Sequence, residues 1–146
     1  MPAVESVTGE VASSMPAATV TQAHATCDAA ASTLTRWSTM GPNARRDVLM
    51  KVAVVLESRT DLFVTARTGE TGSTEGWARF KLMLAVGMVR EAAALTTQVT
   101  GEIIPSDKPG CIATAVREPA EVVLGIAPPS APIILGVRAI VVPNGP

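Results

Sequence analysis

The chain has 146 residues, enough for one domain with a core of its own. It is 47% hydrophobic and 17% charged with a net charge of −1. That balance argues against a nucleic-acid partner and suggests surface meant to be covered. Two distant cysteines, Cys27 and Cys111, and the one histidine, His24, give no metal-ligand spacing, so no metal is expected. The cysteines read as reduced thiols, and residues 1–20 have neither the basic start nor the apolar core of a secretory signal, so a cytoplasmic setting is expected.

Val4, Val7 and Val11 around the Thr8-Gly9 turn predict a short strand pair, ended by Pro16. Thr19 or Thr21 then caps a helix running to about Trp37, with Cys27, Ala30, Ala31, Leu34 and Trp37 on one buried face. After Gly41-Pro42 a second helix spans about 43–58. Its inward stripe is Val48, Leu49, Val52, Val55 and Leu56, and Arg45, Arg46 and Lys51 lie on its solvated side. Thr60 starts a third helix with Leu62, Phe63 and Ala66 inward, ending near Gly69-Glu70-Thr71-Gly72.

A fourth and longest helix begins at Ser73 or Thr74 and runs to about Val99. Its middle, Leu82 to Val89, is apolar nearly all round, which predicts burial on more than one side. Trp77, Phe80, Leu84 and Met88 share one face. Spacing alone favours a core stripe there over a ligand pocket. Glu102 to Pro105, then 106–110, then Cys111 to Arg117 read as strand, turn and strand.

Val122, Val123, Leu124, Ile126 and Ala127 form a continuous apolar run that fits a strand buried on both faces, as in a parallel sheet. Pro128, Pro129 and Pro132 stop it, because proline has no N–H for a ladder. Pro132 suits the first turn of a following helix. Strand, turn and helix in that order place a ligand at the strand's carboxyl end. Residues 122–143 also reach the length of a membrane span with Arg138 as their single charge, but four prolines interrupt them. Val141 to Pro146 is a breaker cluster.

The stretch Gly125-Ile126-Ala127-Pro128-Pro129-Ser130-Ala131-Pro132 and the helix after it resemble the aldehyde dehydrogenase superfamily, whose buried strand enters a Pro-Trp-Asn-x-Pro turn. Pro129 stands where that family has Trp, and Ser130 where it has Asn. The likeness extends from about Val4 to Val142. It takes in the Thr8-Gly9-Glu10 turn, the alanine-rich helix ending in Trp37, the Arg45-Arg46 helix start and the Glu70-Thr71-Gly72 junction. Residues 76–94 and 101–111 are similar to the salicylaldehyde and related aromatic aldehyde dehydrogenases.

The resemblance implies an α/β fold: an N-terminal strand pair, four helices, a β-hairpin, then the first strand and helix of a Rossmann-like dinucleotide-binding sheet. Residues 1–100 would hold the strand pair and helices, 101–118 an association hairpin, and 119–146 the start of the cofactor and catalytic core. It implies oxidation of an aromatic aldehyde with NAD or NADP, and a homo-oligomer. Trp77, Phe80 and Leu84 would then face the substrate, which reverses the reading from spacing.

Arg138 would reach the ring or a phenolic oxygen, against the plainer reading of an arginine reaching solvent. Ile126, Ala127, Pro128 and Pro129 would line the cofactor. Ser130 takes the place of the family's oxyanion-donating Asn. The family usually has Gly just before the strand, a pattern from which Glu118-Pro119-Ala120-Glu121 departs. Its nucleophilic Cys and general-base Glu lie downstream of the turn. Neither Cys27 nor Cys111 is at the nucleophile's position, so the 146 residues alone are expected to be inactive. The alternative is a non-catalytic remnant acting only in association.

Overall fold

The helix starts follow from local residues, side-chain caps at two of them and a proline at two others. Thr19 accepts from the Gln22 amide at 3.2 Å, and the Gln22 side chain accepts from the Thr19 amide at 2.9 Å. This reciprocal cap opens α1, Val20–Ser38. Proline at the first position, whose missing N–H costs nothing there, opens α2, Pro42–Ser58. The next helix, α3, Thr60–Thr71, stops at Gly72, whose φ of 62° is left-handed. Thr74 accepts from the Trp77 amide and opens α4, Glu75–Leu95. Pro132 starts α5, Pro132–Asn144.

The computed structural model describes residues 2–4, 8–14, 16–128 and 130–144. Val7 and Pro129, both given roles by the sequence, lie outside the described residues. Two antiparallel strand pairs complete the architecture. β1, Pro2–Val4, pairs with β2, Val11–Ser14, and β3, Glu102–Ile104, pairs with β4, Ala113–Ala115. Glu102 faces Ala115 and Ile104 faces Ala113 in the second pair.

The core is built around α4. Ala78, Leu82, Ala85, Val86, Val89, Ala92 and Ala93 are buried along one broad face. Leu49 and Ala53 of α2, Val64 of α3 and Val141 of α5 close over it. Alanines at 53, 85, 92 and 93 let the helix axes come close, since contact side chains set interaxial distance. Burying a side chain such as Leu82 contributes about 1.5–3 kcal/mol.

The helices α4 and α5 run in the same direction. Ser130, just before α5, lies against Lys81, and further along Arg138 and Val142 lie beside Met88 and Leu95.

Several expectations are corrected here. The first helix forms but has no buried residue, and Cys27 is exposed. Ala30, Thr33, Leu34 and Trp37 of this helix line a depression together with residues of the 121–127 segment and of α5. On α2 the inward residues are Leu49, Ala53 and Leu56, while Val48, Val52 and Val55 are exposed, because its packing is chiefly against one neighbour, α4. On α3, Leu62 is exposed and Val64 and Arg67 are taken inside.

The fourth helix ends at Leu95, short of Val99. Thr96 and Thr97 turn their hydroxyls back onto the carbonyls of Ala93 and Ala94, and the Gln98 amide bonds Leu95 in a tighter turn. The expected break at Val141 is corrected as well, since α5 carries on through Pro143 to Asn144, and residues 145 and 146 lie outside the described residues.

The run at 122–127 carries no ladder. Leu124 is 83% and Ile126 84% exposed, so burial on both faces is also corrected. A strand needs a neighbour, and among the described residues none lies alongside this segment. Instead it lies between α1 and α5. Among the described residues no helix is long and apolar enough to cross a membrane.

Candidate active site

The exposed face of α4 carries an aromatic pair. Trp77 and Phe80 are three residues apart, so their side chains meet on one side of the helix. Their ring centroids are 5.4 Å apart with planes inclined by 26°. Trp77 is 51% and Phe80 42% exposed, and Leu84, one turn on, is also exposed. These residues are therefore not part of the core, which uses the opposite stripe from Ala78 to Ala93. An exposed aromatic and aliphatic stripe of this kind suits a flat apolar ligand or a partner surface.

Ser130 is tied to that face. The Lys81 ammonium sits 5.2 Å from the centre of the Trp77 ring, a cation–π arrangement. The same ammonium donates to the Ser130 carbonyl at 3.2 Å. From the other side the Arg67 guanidinium donates to that carbonyl oxygen at 2.7 Å. Arg67 is only 8% exposed. With Phe63, Glu70, Pro132 and Val137 it lines a depression of about 360 Å³ under the start of α5.

Ile126, Ala127 and Pro128 are exposed just ahead of the turn. Ala127 lines a second depression, of about 440 Å³, with Trp37 and Gly136. Glu121, at the entry to this segment, holds φ at 69°, a left-handed conformation in a residue with a Cβ.

Arg138 stands apart from the aromatic pair. It is exposed and borders a third depression with Met88, Glu91, Leu95 and Val142. At about 1.5 Å per residue, Glu91 lies roughly 21 Å along α4 from Trp77. Met88 is the link, since it shares the face of Trp77, Phe80 and Leu84 and also touches this depression. Cys27 and Cys111 are both exposed and neither lines these depressions. Arg79 joins the first turns of α3 and α4, donating to Asp61 at 2.8 Å and Glu75 at 2.9 Å. Hydrogen bonds to Glu75 and then Asp61 hold its pKa above the usual arginine value.

Sequence reasoning missed Arg67 and Lys81. The signal for Arg67 was present: it follows Val64 by three and Phe63 by four residues, on the inward stripe of α3. A charge at such a position asks for a buried partner.

The aldehyde dehydrogenase family profile matches residues 1–143. A vanillin dehydrogenase of Pseudomonas fluorescens is 50% identical over 137 residues, which cover 94% of this chain and 28% of that protein. A salicylaldehyde dehydrogenase of Pseudomonas putida is 36% identical over 140 residues, 96% of this chain and 29% of that protein. The crystal structure of a salicylaldehyde dehydrogenase from Pseudomonas putida G7, complexed with salicylaldehyde, superposes with a TM-score of 0.94 at 36% identity. It covers 99% of this chain and 30% of that one. The chain thus spans less than a third of the length of these relatives.

Proposed function

Because the chain belongs to the aldehyde dehydrogenase family, we propose that it supplies the N-terminal part of an oxidoreductase taking an aromatic aldehyde to its carboxylate with NAD or NADP. The observation that carries this reading is the exposed, stacked pair Trp77 and Phe80, joined through Lys81 to the turn at Ser130. Relatives named for vanillin and salicylaldehyde support the substrate class.

In this reading the ring of the aldehyde lies on Trp77, Phe80 and Leu84, which remove its face from water. Arg138 stands at the far end of the same helix face, beside Met88. From there its long side chain meets a phenolic oxygen or the ring edge of a substrate lying along Leu84. Ser130 holds the place from which the family's Asn donates to the oxyanion. Its shorter hydroxyl reaches less far, and loss of such a donor costs roughly 10²–10³-fold in rate.

Ile126 and Pro128 form an exposed apolar ledge at the carboxyl end of the extended segment, next to Ala127. That ledge fits one face of a dinucleotide, and Pro129 belongs to the same assignment. When bound, the dinucleotide supplies the hydride acceptor. Residues 101–118 serve subunit association in a homo-oligomer, with Ile103 and Ile112 exposed on the hairpin. Residues 119–146 begin the cofactor and catalytic core.

A second reading makes these 146 residues an association module without catalysis. The exposed run at 122–126 favours it. The two readings separate in one experiment. The 146-residue chain alone gives no NAD(P)H from salicylaldehyde or vanillin. Residues 1–143, grafted in place of the matching part of the Pseudomonas fluorescens relative, give turnover that prefers aromatic over short aliphatic aldehydes. A folded chimera with no turnover, or with the opposite preference, overturns the enzymatic reading.

A further inference from the structure

Two cations from different helices converge on one backbone oxygen. Arg67 of α3 and Lys81 of α4 both donate to the carbonyl of Ser130, at 2.7 and 3.2 Å. The residue pairs are 63 and 49 positions apart in sequence, so neither bond follows from local helix geometry.

The energetics favour a specific role over an incidental contact. Arg67 is nearly fully buried, and burying a guanidinium is costly unless it is hydrogen-bonded. A charge-assisted bond of 2.7 Å is at the short end for this type and roughly twice as strong as a neutral one. Lys81 is only half-buried and its bond is longer, so its share is the smaller. Pro128 and Pro132 have no amide to donate, and Ser130 is exposed. One residue after Ser130, the Ala131 carbonyl accepts the first amide bond of α5, from Leu135 at 3.0 Å.

We infer that Arg67, assisted by Lys81, is a positioning residue. It fixes the Ser130 peptide and so sets where the side chain at position 130 and the start of α5 stand. The inference rests on the proposed function only for what that side chain does. The anchoring is a separate claim, with its own readout. Lys81 also links the anchor to the substrate face, because the same ammonium lies over Trp77. A ligand that displaces Lys81 from the ring therefore changes the donors on Ser130.

Ser130-Ala131 is the only Ser-Ala pair in the sequence. Labelling serine with carbonyl carbon-13 and alanine with nitrogen-15 in the full 146-residue chain thus gives one correlated signal, from the Ser130 carbonyl through the Ala131 amide. Arg67→Met is expected to move that carbonyl resonance upfield, as a lost donor does. It also speeds exchange of the Leu135 amide by about tenfold, the size expected for losing one charge-assisted bond.

Arg67→Lys restores part of both effects. Lys81→Met gives a smaller shift of the same sign, and it decides the matter if Arg67→Met does not fold. Arg90→Met, which breaks only the Glu57 pair on α2, leaves the signal unmoved. An unshifted Ser130 carbonyl in folded Arg67→Met, or in Lys81→Met when the first variant is unfolded, overturns the inference. These spectral changes with turnover of the chimera unaltered count against the function of Ser130 and leave the anchor standing.

Discussion

Gly125 and Ala139 touch so closely that a Cβ added to the glycine would lie 2.7 Å from the alanine's own. This contact is where the 122–127 segment meets α5. Neither neighbour is the far end of a flexible side chain, so the backbone itself must yield. Gly125→Ala is expected to destabilise the chain by about 1–3 kcal/mol, the usual range for overpacking. The double variant Gly125→Ala with Ala139→Gly recovers part of that, less roughly 1 kcal/mol for glycine in a helix. Urea unfolding followed by helical circular dichroism measures both.

Glu121 has the opposite problem. Its φ of 69° is one that glycine adopts freely and other residues reach at a cost of about 1–2 kcal/mol. The family resemblance puts glycine just before this segment, which agrees with the geometry. Glu121→Gly is expected to raise stability by about 0.5–1 kcal/mol, after the added flexibility of the unfolded glycine is set against the relieved strain. Glu121→Ala, which keeps the Cβ, gives no such gain. A shift in the urea midpoint with unchanged slope is the measurement.

The extended run at 122–127 leads to a prediction about association. Leu124 and Ile126 are exposed, as are Ile103, Ile112 and Val116 on the hairpin. Unpaired apolar extended chain is a template for another strand. Sedimentation velocity is expected to show larger species as concentration rises. Leu124→Lys with Ile126→Lys shifts the distribution back towards monomer. A concentration-independent monomer for the unaltered chain contradicts this.

Position 130 gives a test of the chemistry. In the chimera with the Pseudomonas fluorescens relative, Ser130→Asn restores the longer donor and is expected to raise kcat by up to about 10²-fold, with KM for the aldehyde little changed. Adding Pro129→Trp completes the family turn. An unchanged kcat in a folded variant removes Ser130 from the proposed mechanism.

The helix starts were legible because their causes are local. Thr19, Thr74 and Pro132 each act within one turn, and Gly72 stops α3 in the same way, whereas Pro42, read as part of a break, is the first residue of α2. What was not legible depends on what lies across from a residue. The α2 stripe could be Val48-Val52-Val55 or Leu49-Ala53-Leu56 by period, and only the placement of α4 selects the second. The run at 122–127 has strand composition, yet composition supplies no neighbour for a ladder. Trp77 and Phe80 were assigned to one face correctly, but spacing could not say that α4 buries the other. Arg67 was overlooked because its partner, the Ser130 carbonyl, is a backbone atom that sequence patterns do not mark.

The parallel course of α4 and α5 carries a consequence for how the chain reaches this arrangement. An antiparallel helix pair closes through a short loop. Here residues 96–131 must travel back along the whole length of α4 before α5 can dock. Closing so long a loop is entropically slower than joining α2 to α4, which are separated by little more than the short helix α3. The three-helix unit of α2, α3 and α4 is therefore expected to assemble early. Val137 and Val141 join it late, so the last helix is the first to detach when the protein is stressed.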